Sequence, residues 1–226
     1  MGRLTKLMTG VTVLMVLTGG CGSTSNDDQL VMQFLQFDNT GLTQADSVSE
    51  SSADVDVFQD ICPGGTGGVP TAEPFTQTVI NAVFQNNEGS DIQMQGYMTQ
   101  IADNRLSQSN IVNGVLGTTL PGGRCMGTNQ PCVTASDCAL AGVSGGTCEH
   151  SQTTVSAIVL YDFVGKAVVA TVSQLHPDVL GQAIPLKVTF FGSDPNRSFQ
   201  TTANYLVTFG NFDNCMTSSG GGAGAS

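Results

Sequence analysis

The strongest pattern in the chain is a period of two near its C-terminal end. Ile184, Leu186, Val188 and Phe190 alternate with less apolar neighbours. After a polar break over residues 192–197, Phe199, Thr201, Ala203, Tyr205, Val207 and Phe209 alternate with Gln200, Thr202, Asn204 and Thr208. Alternation of this kind predicts two half-buried strands joined by a turn. The same period marks Ala53, Val55 and Val57 against Asp54 and Asp56, and Thr153, Val155, Ala157, Val159 and Tyr161 further on. Residues 30–37 are apolar at nearly every position and read as a buried strand. Residues 75–85 and 92–99, separated by the turn cluster 86–91, read as an antiparallel hairpin with one wet face. A weaker strand over 111–120 is broken by Gly114 and Gly117. Residues 164–175 are ambiguous: Val168, Val169 and Val172 favour a strand, and a short helix over 166–174 is the alternative before the turn at His176, Pro177 and Asp178.

Eight or nine strands with turns between them and little helix must close both faces, which predicts an all-β, two-sheet antiparallel sandwich over residues 30–216. The segment 181–190 resembles late strands of immunoglobulin-like domains of bacterial surface proteins, and the resemblance implies an Ig-like architecture, not an activity. Residues 122–150 break the pattern. They carry Cys125, Cys132, Cys138 and Cys148 among many Gly and Ser and few apolar side chains, and the Ser-Asp-Cys…Gly-Gly-Thr-Cys arrangement resembles small disulfide-knotted modules of secreted proteins. A segment this poor in apolar surface cannot hold itself by burial, so it reads as a disulfide-rich insertion. The pairing expected is Cys125 with Cys138 and Cys132 with Cys148, leaving Cys62 and Cys215 to join each other. A zinc site is the rival, but the spacings lack the close cysteine pairs that structural zinc favours. Residues 217–226 are Gly, Ser and Ala with one Thr and should be disordered.

The N-terminal stretch sets an address. Arg3 and Lys6 precede an apolar run over residues 7–17, too short to span a bilayer, and then come Thr18, Gly19, Gly20 and Cys21. This resembles the signal peptide and lipobox of bacterial lipoproteins, with Leu17 one residue further from the cysteine than usual. The resemblance implies that residues 1–20 are removed, that Cys21 carries a diacylglycerol and an N-acyl chain, and that residues 21–29 form a polar tether. Gly22 stands where inner-membrane retention is associated with Asp, so the outer membrane is the expected location.

Composition agrees with export. Losing two of the seven Lys and Arg with the signal leaves a formal charge of about −13, which argues against nucleic acid and anionic lipid as electrostatic partners. Six cysteines besides Cys21 are an even number for an oxidising compartment.

No catalytic or metal constellation stands out. The glycines after Cys62 lack the Lys and helix of a phosphate loop. Gly142-Val143-Ser144-Gly145-Gly146 resembles the nucleophile surroundings of trypsin-like proteases, but His150 and His176 lack that family's setting. Asp54 and Asp56, or Asp194 with Asn196, are candidate calcium ligands, more simply explained as a solvated strand face and a turn. The sequence thus predicts no enzyme, no cofactor and no metal. It predicts a lipid-anchored envelope protein with a structural, adhesive or assembly role, its partners being the membrane through Cys21 and other envelope proteins. The alternative is a binding module for a carbohydrate, a small ligand or calcium.

Overall fold

A computed structural model describes residues 31–42, 46–62, 69–72, 76–106, 112–143 and 146–212. The signal segment, Cys21 and the tether, the glycine run 63–68, Ser144, Cys215 and the C-terminal tail lie outside the described residues. The elements follow in the order β1 (Met32–Asp38), β2 (Ser52–Asp56), β3 (Ile61–Cys62), β4 (Thr71–Ala72), β5 (Thr78–Asn86), β6 (Ile92–Ile101), β7 (Asn113–Val115), β8 (Thr119–Leu120), β9 (Arg124–Cys125), α1 (Ala135–Leu140), β10 (Cys148–Glu149), β11 (Gln152–Tyr161), α2 (Phe163–Leu175), β12 (Ala183–Ser193) and β13 (Ser198–Gly210). The described chain is therefore mostly β, as the alternation predicts.

Two sheets carry the architecture. One is three-stranded and antiparallel, in the order β1–β5–β11. The other is six-stranded: β2–β13–β12–β6, with the short β7 and β8 both laid along β6. β12 and β13 pair without interruption from Ala183↔Thr208 to Ser193↔Ser198, which is the hairpin marked by the C-terminal alternation. β2 joins β13 in parallel, from Leu206↔Ser52 to Gly210↔Asp56.

Both sheets bury their apolar faces in one common core. Aromatic rings bridge them. Phe84 of β5 meets Phe190 of β12 edge-on at 4.8 Å, Phe37 of β1 meets Tyr205 of β13 at 4.8 Å, and Tyr161 of β11 meets Phe209 at 5.0 Å. Such edge-to-face pairs contribute about 0.5–1.5 kcal/mol each beyond the area they bury. A polar link crosses as well: the Val159 amide of β11 donates to the Tyr97 hydroxyl of β6 at 2.7 Å.

Residues 75–85 and 92–99 do not form a hairpin. β5 pairs with β1 and β11, while β6 pairs with β12, so the turn between them carries the chain from one sheet to the other. Asn86 organises that crossing: its side-chain amide donates to the carbonyls of Ser90 at 2.7 Å and Leu120 at 3.1 Å, and its Oδ1 accepts from the Glu88 amide at 2.9 Å.

Residues 163–175 are helical. The Asp162 carboxylate caps the Gly165 amide at 2.7 Å, and the buried positions Gly165, Lys166, Val169 and Ser173 follow helical spacing. Pro177 cannot continue the helix. β-branched propensity gives way here to tertiary packing.

The weak strand at 111–120 is two short pieces, β7 and β8. Gly114 is required in the first: a Cβ there would lie 1.9 Å from the Tyr97 ring. β1 also departs from its expected two-faced burial, since Gln33 and Gln36 are exposed. A register shift between Phe34 and Gln36 brings the Phe34 and Phe37 rings to one side, 4.8 Å apart.

Candidate functional site

Residues 122–150 fold back on themselves as a small cap at one end of the sheets. β9 and β10 form its stem, with Cys125 opposite Cys148 and Arg124 opposite Glu149. Cys125 is bonded to Cys138 and Cys132 to Cys148, the same pairing as expected. Cys62 is also disulfide-bonded. The Sγ atoms of Cys125, Cys132 and Cys138 lie within 4.8 Å of one another, the spacing of a metal site, but disulfide bonding occupies all three. With Val143 and Cys148 they make the cap's own small core.

Inside the cap, Asp137 accepts from the amides of Thr134 and Val133 at 2.8 Å each, and these bonds hold its carboxyl below the ordinary carboxylate range. His150 fastens the cap to the sheets. Its Nδ1 lies 2.7 Å from the Asn86 carbonyl and its Nε2 lies 3.1 Å from the Val133 carbonyl. Gly123 allows this approach, because a Cβ there would sit 2.4 Å from the Cys132 oxygen and 2.5 Å from the His150 ring.

Where the cap meets the β5–β6 crossing and the β12–β13 turn, an open cleft of about 740 Å³ forms. Gly89, Ser90, Asp91, Arg124, Ser193 and Asp194 line much of it. The charged side chains in and beside it are mutually engaged. Arg124 pairs with Asp91 at 2.8 Å and donates to the Gly89 carbonyl at 3.0 Å. Arg197 pairs with Glu88 at 2.6 Å and lies over the Phe199 ring. Asp194 accepts from the amides of Asn196 at 2.7 Å and Arg197 at 2.9 Å, and from the Ser90 hydroxyl at 3.2 Å. The Asn196 amide is the main reason its carboxyl lies below the usual range. Asp194 and Asn196 therefore build the turn expected of them.

A second cluster lies where the sheets meet α2. The Lys166 ammonium of α2 is 2.6 Å from Oδ2 of Asp46, with side-chain exposures of 1% and 0%. The Thr78 hydroxyl, at the start of β5, donates to that same oxygen, and the Asp56 amide, at the end of β2, donates to Asp46 Oδ1 at 3.3 Å. Asp56 is itself only 3% exposed, and its carboxylate accepts from the Phe58 amide at 3.1 Å. This corrects the expectation that Asp54 and Asp56 form a solvated face. Asp54 is half-buried and Asp56 is buried. Asp46, Asp56 and Lys166 are the acidic and basic residues buried as whole residues among those described.

Sequence reasoning missed this cluster. Asp46 lies in a polar stretch that reads as loop, and Lys166 lies on a segment whose helical face is masked by valines. The available signal was the pairing of Asp162 as a cap with buried positions at helical spacing. His150 and His176 serve different places: His150 holds the cap, and His176 ends α2 near Asp103. No helix among the described residues is long and apolar enough to cross a membrane. No family model matches the chain, and neither the curated proteins nor the solved structures contain a significant match.

Proposed function

We propose that this chain is a cell-envelope β-domain, held at the outer membrane by lipid on Cys21, with a structural, adhesive or assembly role exercised through protein contacts rather than catalysis. The observation that carries this reading is the pair of disulfides in the cap, Cys125–Cys138 and Cys132–Cys148. Structural disulfides belong to oxidising compartments, and this chain also begins with a lipobox-like segment. The cap offers exposed apolar side chains, Met126, Val133 and Leu140, as contact points for another envelope protein. An immunoglobulin-like relationship belongs to the same proposal. It is supported by two sheets around one core and by late strands resembling those domains.

Fractionation of cells producing Cys21→Ser tests the anchor. Wild type should stay with the membrane and lose it on detergent extraction, while the variant should appear in the soluble fraction. A Cys21→Ser protein that remains membrane-bound overturns the lipid reading.

The cleft of about 740 Å³ favours one second reading, a binding module for a carbohydrate, small ligand or calcium. Melting temperature measured with calcium, chelator and a glycan panel separates the two, since a ligand specific to the folded state raises it. No shift with any of them removes the second reading.

A further inference from the structure

We propose that His150 is a pH-sensitive latch: its doubly protonated ring ties the Val133 segment and α1 of the cap to the β5–β6 crossing, and loss of one proton releases that segment. The inference needs neither lipid on Cys21 nor a ligand in the cleft.

The first element is the number of hydrogens an imidazole owns. The neutral ring has one N–H and one lone pair, whereas the imidazolium has two N–H groups and no lone pair. Around His150 both nitrogens meet backbone carbonyl oxygens, which only accept. Nδ1 is 2.7 Å from the Asn86 oxygen and Nε2 is 3.1 Å from the Val133 oxygen. The Cys148 Sγ, 3.5 Å from Nε2, is committed to its disulfide and has no proton to give. The imidazolium satisfies both carbonyls at once. Either neutral tautomer leaves a lone pair facing an oxygen. The Asn86 contact is the shorter, so the neutral ring keeps its hydrogen there and the Val133 contact is the one lost.

The second element is where the two carbonyls belong. Asn86 ends β5 and organises the crossing, while Val133 stands just before α1 in the cap. The ring therefore bridges two parts of the molecule. It cannot turn aside freely, because β9 backs it at Gly123, where even a Cβ would come within 2.5 Å. Relief comes from the Val133 side, where Val133 and Leu140 are exposed.

The charged groups on the surrounding elements are Arg124 on β9, Glu149 on β10, Asp137 on α1, and Glu88 and Asp91 in the crossing. Arg124 pairs with Asp91, Glu88 pairs with Arg197, and Glu149 is exposed. Carboxyl and guanidinium groups ordinarily titrate outside the range of about pH 5–8, and imidazole within it. The bonds of the Gly123 amide to the Glu88 carbonyl at 2.7 Å and of the Gly122 amide to Asp91 at 3.0 Å thus persist across that range. The stem of the cap stays docked while the Val133 segment lifts. Since the protonated ring favours the latched form, its contribution is present at the acid end and is lost as pH rises. Asp137 works in the opposite sense: it accepts from the Val133 amide at 2.8 Å, and that bond fails on acidification.

Hydrogen exchange of the full-length protein, corrected for the intrinsic pH dependence of exchange, tests the latch. Protection over residues 131–140 should fall by about tenfold between the ends of the imidazole range, as loss of one hydrogen bond from a charged donor implies, while β5 and β12 keep theirs. His150→Gln should remove this dependence and His176→Gln should leave it. Nitrogen NMR of labelled histidine should show the His150 ring passing from two hydrogens to one with the same midpoint. Unchanged protection in wild type overturns the proposal, as does the wild-type pH dependence surviving in His150→Gln. A His150 ring that carries one hydrogen throughout overturns it even if the variant fails to fold.

Discussion

The two-sheet body and the cysteine-rich cap solve the same problem differently. The body brings together Phe34, Phe37, Phe84, Phe190, Tyr205 and Phe209, and its described core contains no disulfide. The cap, residues 122–150, has no Phe, Tyr or Trp, and its small core is made of cysteines. A long chain can bury enough apolar surface to offset the entropy of ordering. A short, Gly-rich segment cannot, and it lowers the entropy of its unfolded state by cross-linking instead. The sequence difference that decides which solution applies is the density of large apolar side chains.

That contrast can be broken from the body's side first. Phe190→Ala removes a ring that meets Phe84 at 4.8 Å and lies near Phe34 and Tyr97. A loss of about 3–5 kcal/mol is expected by urea unfolding, and intact cap disulfides should not rescue it. From the cap's side, the double variant Cys132→Ala/Cys148→Ala should cost the cap about 2–4 kcal/mol. Amide exchange should then rise across residues 122–150 while β5 and β12 keep their protection. Equal loosening of both regions would show that the two are one cooperative unit.

The smallest effect is a sharpening one. The Thr134 and Val133 amides hold the Asp137 carboxyl below its ordinary value of 3.8. A carboxyl depressed in the folded state contributes stability above its unfolded value, and loses it as pH falls through the lower folded value. Exchange in the cap should therefore rise below about pH 4, before the body responds. Asp137→Asn should remove that pH dependence.

How much of this was legible follows from how local each cause is. The β12–β13 hairpin was legible because its alternation and its turn lie in one stretch. The crossing at 86–91 was not, because a polar turn looks the same whether the next strand pairs with the last or leaves for another sheet. The deciding bonds reach Leu120, far along the chain. The helix Phe163–Leu175 was half hidden, since its buried face carries Lys166 and Ser173 rather than an apolar stripe. The buried Asp46, Asp56 and Lys166 could not be inferred at all. Their meeting depends on three elements that come together only when both sheets are formed, and an acidic residue in isolation reads as surface.

The parallel contact of Ser52–Asp56 with residues 206–210 sets a timetable. An early strand waits for almost the last residues of the domain before it gains its neighbour. Pairing over such a separation folds slowly, and no N-terminal portion emerging alone can complete the sheet. Were the chain exported as proposed, such a delay would keep it open while it is threaded through a translocation channel.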